Sequence, residues 1–219
     1  MRILKTIFTL LFLIFSSTVA FSQATTSAGL SYGSFDYDIS GTKYTGDGGV
    51  INLEGQLSSS LNYSLSISDG KIDDVVYNNS EGSLTYMVTP NIGIDFMGSQ
   101  IKLATVQETD TSLGVSYKLY ASSLGLKVFV GSDINNYGKF YIYGTKVNLG
   151  VTQESSLILS YKTEDRKQKA TTMDARFVYD LTSKLGLNLG YKSTETKNAA
   201  GSAVVLKGNT TYAGIVYKF

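Results

Sequence analysis

Two pairs of adjacent carboxylates, Asp73-Asp74 and Glu164-Asp165, are placed in sequence where side chains could move a proton. Both fall in polar stretches between apolar alternations, where they read as solvated charge. Asp36 and Asp38 with Asp47, or Asp69 with Asp73 and Asp74, supply the oxygen ligands that Ca²⁺ takes. They lack the ordered spacing of an EF-hand loop. Gly46-Asp47-Gly48-Gly49 has the glycine content of a phosphate cradle, but no helix follows to support one, so it reads as a flexible loop tip. The chain contains no His and no Cys. That removes Ser-His-Asp triads, thiolate nucleophiles, imidazole or thiolate metal sites and disulfides. The sequence therefore assigns no catalytic residue, no metal and no cofactor.

The elements that carry these residues are strands. The 219 residues include 22 Gly and 16 Tyr but one Pro and no Trp, a composition that favours β structure. A net charge of +1 gives no basis for binding nucleic acid. Arg2 and Lys5 precede a nearly unbroken apolar run, Ile7 to Phe15. Small residues follow, at Thr18-Val19-Ala20 and Ser22-Gln23-Ala24. This is the layout of a secretory signal peptide, expected over 1–24 with cleavage after Ala20 or Ala24. The remainder, 25–219, alternates between apolar and polar residues from end to end, as strands with two different faces do. The alternation is plain in Leu61, Tyr63, Leu65, Ile67; in Leu113, Val115, Tyr117, Leu119; and in Leu185, Leu187, Leu189, Tyr191.

Five short connections punctuate the pattern: Ser58-Ser59-Ser60, Thr89-Pro90-Asn91, Ala121-Ser122-Ser123, Thr152-Gln153-Glu154 and Thr182-Ser183-Lys184. They recur every ~31 residues, a length that fits two spanning strands, a tight turn and a longer loop. The longer connections, polar and Gly-rich, are expected over roughly 38–48, 69–80, 98–110, 131–138, 163–171 and 194–208. Counting gives about 12 antiparallel strands, an even number as in bacterial barrels. Hydrocarbon offers no hydrogen bonds, so such a sheet must close on itself. The expected fold is all-β: an antiparallel up-and-down transmembrane β-barrel. Tyr86, Tyr117, Tyr179 and Tyr217 fall near the short turns, and Tyr32, Tyr161 and Tyr191 near the long connections, as interfacial aromatic girdles do.

The C-terminal alternation Ala213, Ile215, Tyr217, Phe219 resembles the assembly signal of Gram-negative outer-membrane proteins. With the leader and the alternating strands, the chain resembles the outer-membrane β-barrel (porin-like) class. In size it is similar to the small 12-stranded monomeric channels for acidic oligosaccharides. The resemblance implies a place in the bacterial cell outer membrane, insertion by the barrel-assembly machinery and contact with the lipid bilayer and lipopolysaccharide. Barrel enzymes of that membrane rely on a catalytic His, and this chain has none.

Parity then sorts the polar face into a lumen. Lys118, Lys127, Lys146, Lys162, Arg176, Lys192 and Lys218 are expected to point inward, against Glu54, Asp95, Asp174 and Asp180. That balance predicts a lumen near +3 and a channel for passive diffusion of small polar or anionic solutes, weakly preferring anions. The alternative is a non-conducting structural or adhesive surface barrel whose charges pair across the lumen. Inward Gly93, Gly114, Gly125, Gly144, Gly186, Gly190 and Gly214 favour open space. One segment breaks parity. Ile92, Ile94 and Phe96 are even, whereas Ile101 and Leu103 are odd, which predicts a bulge or a loop leaving the wall. Ile101, Leu103 and Val106 are therefore candidates for a constriction.

Overall fold

The computed structural model describes residues 26–219 apart from 74, 104–105, 134–140, 166–168 and 198–203. The leader expected over 1–24 lies outside the described residues. Twelve strands form a closed barrel, each antiparallel to its sequence neighbours, with β1 paired to β12. They are β1 (Thr26–Ile39), β2 (Thr42–Ser58), β3 (Leu61–Ile72), β4 (Val75–Met87), β5 (Ile92–Leu103) and β6 (Val106–Ala121), followed by β7 (Leu124–Asp133), β8 (Tyr141–Gly150), β9 (Ser155–Asp165), β10 (Ala170–Asp180), β11 (Leu185–Lys197) and β12 (Val204–Lys218). Closure is sealed near the termini, where the Phe219 amide donates to the Thr26 carbonyl at 2.9 Å. No strand edge is left to be satisfied by lipid.

The five short turns close one end of the barrel. Ser122 supplies a positive φ of 52° in the β6–β7 turn. Above these turns each strand shows lipid an apolar series. In β6, Leu113, Val115, Tyr117 and Leu119 are exposed, while Ser112 and Ser116 on the opposite face are buried inside. Tyr86, Tyr179 and Tyr217 are likewise exposed on the outer wall.

At the opposite end, the stretches expected as long loops are mostly strand. β1 and β2 run to a two-residue turn, Ser40-Gly41, in which both residues have positive φ (52° and 90°). The Gly41 amide donates to the Asp38 carboxylate at 2.8 Å. This is the backbone that a tight hairpin requires. Gly46-Asp47-Gly48-Gly49 is therefore not a loop tip but part of β2, paired to β1 and β3.

These upper hairpins reverse the polarity of the wall. In the register, Asp36 and Asp38 follow Leu30 and Tyr32 on the outer face of β1, while Phe35 and Tyr37 follow Ser31 on the inner face. Phe35, Val50, Ile72, Tyr77 and Tyr212 form an apolar cluster inside the barrel, with Tyr37 and Tyr44 packed against it. The Tyr37 and Tyr77 hydroxyls lie 3.0 Å apart. The barrel thus has two storeys. The lower is apolar outside and polar inside, as lipid demands; over β1–β4 the upper is mainly polar outside and apolar inside, as in a water-soluble barrel, whereas Glu164 of β9 is buried inward at the same end.

The parity change at Gly98-Ser99 is this reversal. β5 pairs with β4 and β6 through residues 98 to 103 without a register shift, so no bulge is present. Leu103 pairs with Val106 at the hairpin end, which keeps the backbone in the wall. The side chains of Ile101, Leu103 and Val106 lie outside the described residues.

Candidate functional site

The lumen gathers the polar chemistry of the molecule, and the strand register decides who enters it. Lys118 of β6 is directly opposite Lys127 of β7, which is directly opposite Lys146 of β8. Three cations thus form one rung across three adjacent strands. Arg176 on β10, Lys192 on β11 and Lys218 on β12 occupy the same inward series, as do Lys162 on β9, Glu54 on β2 and Asp95 on β5.

The acids lie where these cations can reach. Asp95, 1 % exposed, is bonded to the Lys127 amine and accepts from the Thr85 hydroxyl at 2.5 Å. Glu54 receives Arg176 at 3.0 Å and Lys146 at 3.8 Å. Glu54 and Lys146 stand on β2 and β8, six strands apart around the wall, so this contact spans the lumen. Lys192 of β11 reaches Glu81 of β4 at 2.5 Å, another crossing. The Asn79 amide donates to the same Glu81 oxygen at 3.1 Å. Near the short turns, Lys218 donates to Asp180 at 2.6 Å. Lys118 has no ion pair among the described residues.

The structure corrects the expected charge balance. Glu81, Asp110 and Glu164 also belong to the inward series. Glu164 is no solvated loop charge, since it is buried and pairs with Lys162 at 3.0 Å. With Glu54, Asp95, Asp174 and Asp180, these acids match the seven cations in number, and the register places Glu108 and Asp133 in the same inward series, so the expected excess of cations is absent. What persists is local: at the level of the rung β6–β8 present three cations side by side, whereas Glu54 and Glu81 stand on β2 and β4. Of the other carboxylates considered for chemistry, Asp73 accepts from the Thr45 amide at 3.3 Å in a turn, and Asp74 lies outside the described residues.

Inward glycines do not all leave free space. At Gly190 and Gly144 a Cβ would collide with the rings of Tyr212 and Phe129, their partners on the neighbouring strands. The aromatic side chain lies flat over the glycine, so the wall is thickened where the sequence suggested a gap. Even so, charged groups deep in the barrel touch water-accessible space. Glu54 is 39 %, Glu81 38 % and Lys146 45 % exposed at the side chain. Such a lumen is narrow, wet and bridged by ion pairs. Its described wall offers charged and hydrogen-bonding groups, among them the Thr85 hydroxyl, which donates to the Asp95 carboxylate and accepts from the Lys127 amine at 3.3 Å.

No protein-family model matches the chain, and no curated protein matches it. Solved structures share its fold. The NanC porin superposes with a TM-score of 0.59 at 9% identity, over 87% of this chain and 100% of that one. The KdgM porin in complex with disordered oligogalacturonate gives 0.55 at 10% identity, over 87% and 99%. The translocator domain of the autotransporter NalP from Neisseria meningitidis gives 0.52 at 7% identity, over 90% and 88%. At such identities the likeness is one of fold. The chain is a closed 12-stranded antiparallel β-barrel that shares the fold of these structures.

Proposed function

We propose that this barrel is a porin-like channel of the outer membrane, passing small polar solutes by passive diffusion with a weak preference for anions. The observation that carries the proposal is the rung Lys118, Lys127, Lys146, set side by side on three strands. Like charges at directly opposed positions repel and destabilise the sheet. A wall that keeps three of them, with Lys118 unpaired, offers a local positive field to a passing anion. The fold shared with two porins supports the same proposal. In it Glu54, Asp95, Lys118, Lys127, Lys146, Lys162, Arg176, Lys192 and Lys218 line the pore, and no residue is catalytic. Residues 1–24 export the chain, and Tyr217 and Phe219 guide insertion by the barrel-assembly machinery into a bilayer bearing lipopolysaccharide. Ile101, Leu103 and Val106 stand at the outer hairpin as a candidate constriction.

A second proposal, the non-conducting structural or adhesive barrel, is favoured by the ion pairs that cross the lumen and by the aromatic cluster in its upper storey. Planar-bilayer recording separates the two. Small conductance steps support the channel, and a silent barrel of demonstrably native fold supports the structural one.

A further inference from the structure

Among the described inward acids, Asp174 alone makes neither a hydrogen bond nor an ion pair, and its Oδ1 is buried without a partner. It stands directly opposite Lys192 in the β10–β11 register. Residues so placed have Cβ atoms ~5 Å apart, well within reach of a lysine. Yet the Lys192 amine is extended across the lumen to Glu81, 2.5 Å away on β4. Glu81 is anchored independently by Asn79. The lysine is therefore the movable member of this crossing, with a second acid at its own foot. Turning it back would satisfy the orphaned Asp174 oxygen and leave Glu81 on its amide. The exchange trades one charge-assisted contact for another, and it needs side-chain rotation alone, with no change in the wall.

We propose that Lys192 is the arm of a latch across the lumen, closing the passage when bonded to Glu81 and opening it when turned back onto Asp174. As a control on flow the latch rests on the channel proposed above, but the two positions of the arm do not. In the Glu54–Arg176–Lys146 crossing no acid stands directly opposite either cation, whose register partners are Ile158 and Gly190, and Lys127 and Ser160.

The full-length barrel in micelles, with its lysines reductively methylated using a ¹³C label, reports the arm by NMR. The Lys192 signal is assigned by its loss in Lys192→Arg. It should show two environments, as separate or exchange-broadened peaks. Asp174→Asn should collapse them to the Glu81-bound one, and Glu81→Gln should shift the population about tenfold towards Asp174, as expected for removing one charge-assisted contact. In planar bilayers, Glu81→Gln should raise the occupancy of a larger conductance level about tenfold, and Asp174→Asn should lower it. A single Lys192 environment unmoved by Asp174→Asn would overturn the latch, whether or not the barrel conducts. Two environments in a barrel that passes no current would support the moving arm and refute the channel.

Discussion

Lys127 and Lys118 face each other on adjacent strands and have opposite sensitivities to substitution. Lys127 neutralises Asp95, which is 1 % exposed, so Lys127→Ala strands a buried charge. Breaking such a pair costs about 3–5 kcal/mol. Lys118→Ala removes no ion pair among the described residues and should change stability by roughly 0.5 kcal/mol or less. Urea unfolding of the refolded barrel in lipid vesicles measures both, and equal losses would contradict the pairing. Leu126, next to Lys127 in sequence, faces outward, opposite Leu119 and Val147. Leu126→Arg should cost about 2–4 kcal/mol near mid-membrane. The inward placement of Lys127 was legible from parity. Its partner was not, because Asp95 and Lys127 meet only when β5 and β7 flank β6 in the folded wall. Lys127→Glu, on parity alone much less costly than Leu126→Arg, would instead place two acids together.

At the scale of the strand and hairpin, period-2 alternation identified all twelve strands, yet the upper ends of β1 to β5 read as polar loops. The cause is the reversal of environment along a single strand. Leu30 and Tyr32 face lipid, and Asp36 and Asp38, further along the same face, belong to the water side. Phe35 and Tyr37 turn inward against Tyr77, with ring centroids 5.2 and 5.8 Å from its ring. A pattern that keeps its period but exchanges its faces looks like a bulge in sequence, as at Ile101, although the backbone is regular. An epitope tag between Ser40 and Gly41, at the tip of this storey, should bind antibody on intact cells. A tag at Ser122 should bind only after permeabilisation, and the converse pattern would invert the orientation. Phe35→Ala should loosen the upper hairpins, losing about 3–5 kcal/mol of local packing. Faster proteolytic cleavage near Ser40, with the rest of the barrel intact, is the expected result.

For the whole molecule, the closed β-barrel was legible because lipid imposes it: apolar outer faces, tight turns and an even strand count leave few alternatives. The Tyr217 and Phe219 rings, 5.0 Å apart edge to face, sit where β12 joins β1. Deleting Phe219 should slow insertion and leave periplasmic chain that is degraded, as seen by pulse-chase fractionation. What the lumen does was less legible, since its character depends on contacts between strands six positions apart and on acids, Glu81 and Glu164, that sequence placed at loop margins. The most direct test of the proposed channel is single-channel recording in a KCl gradient, on the wild type and on Lys118→Glu/Lys146→Glu. Small discrete steps are predicted, with a reversal potential on the anion side that moves towards cations in the double variant and weakens in high salt. No steps at all, a wild type selective for cations, or a double variant with an unmoved reversal potential would contradict it.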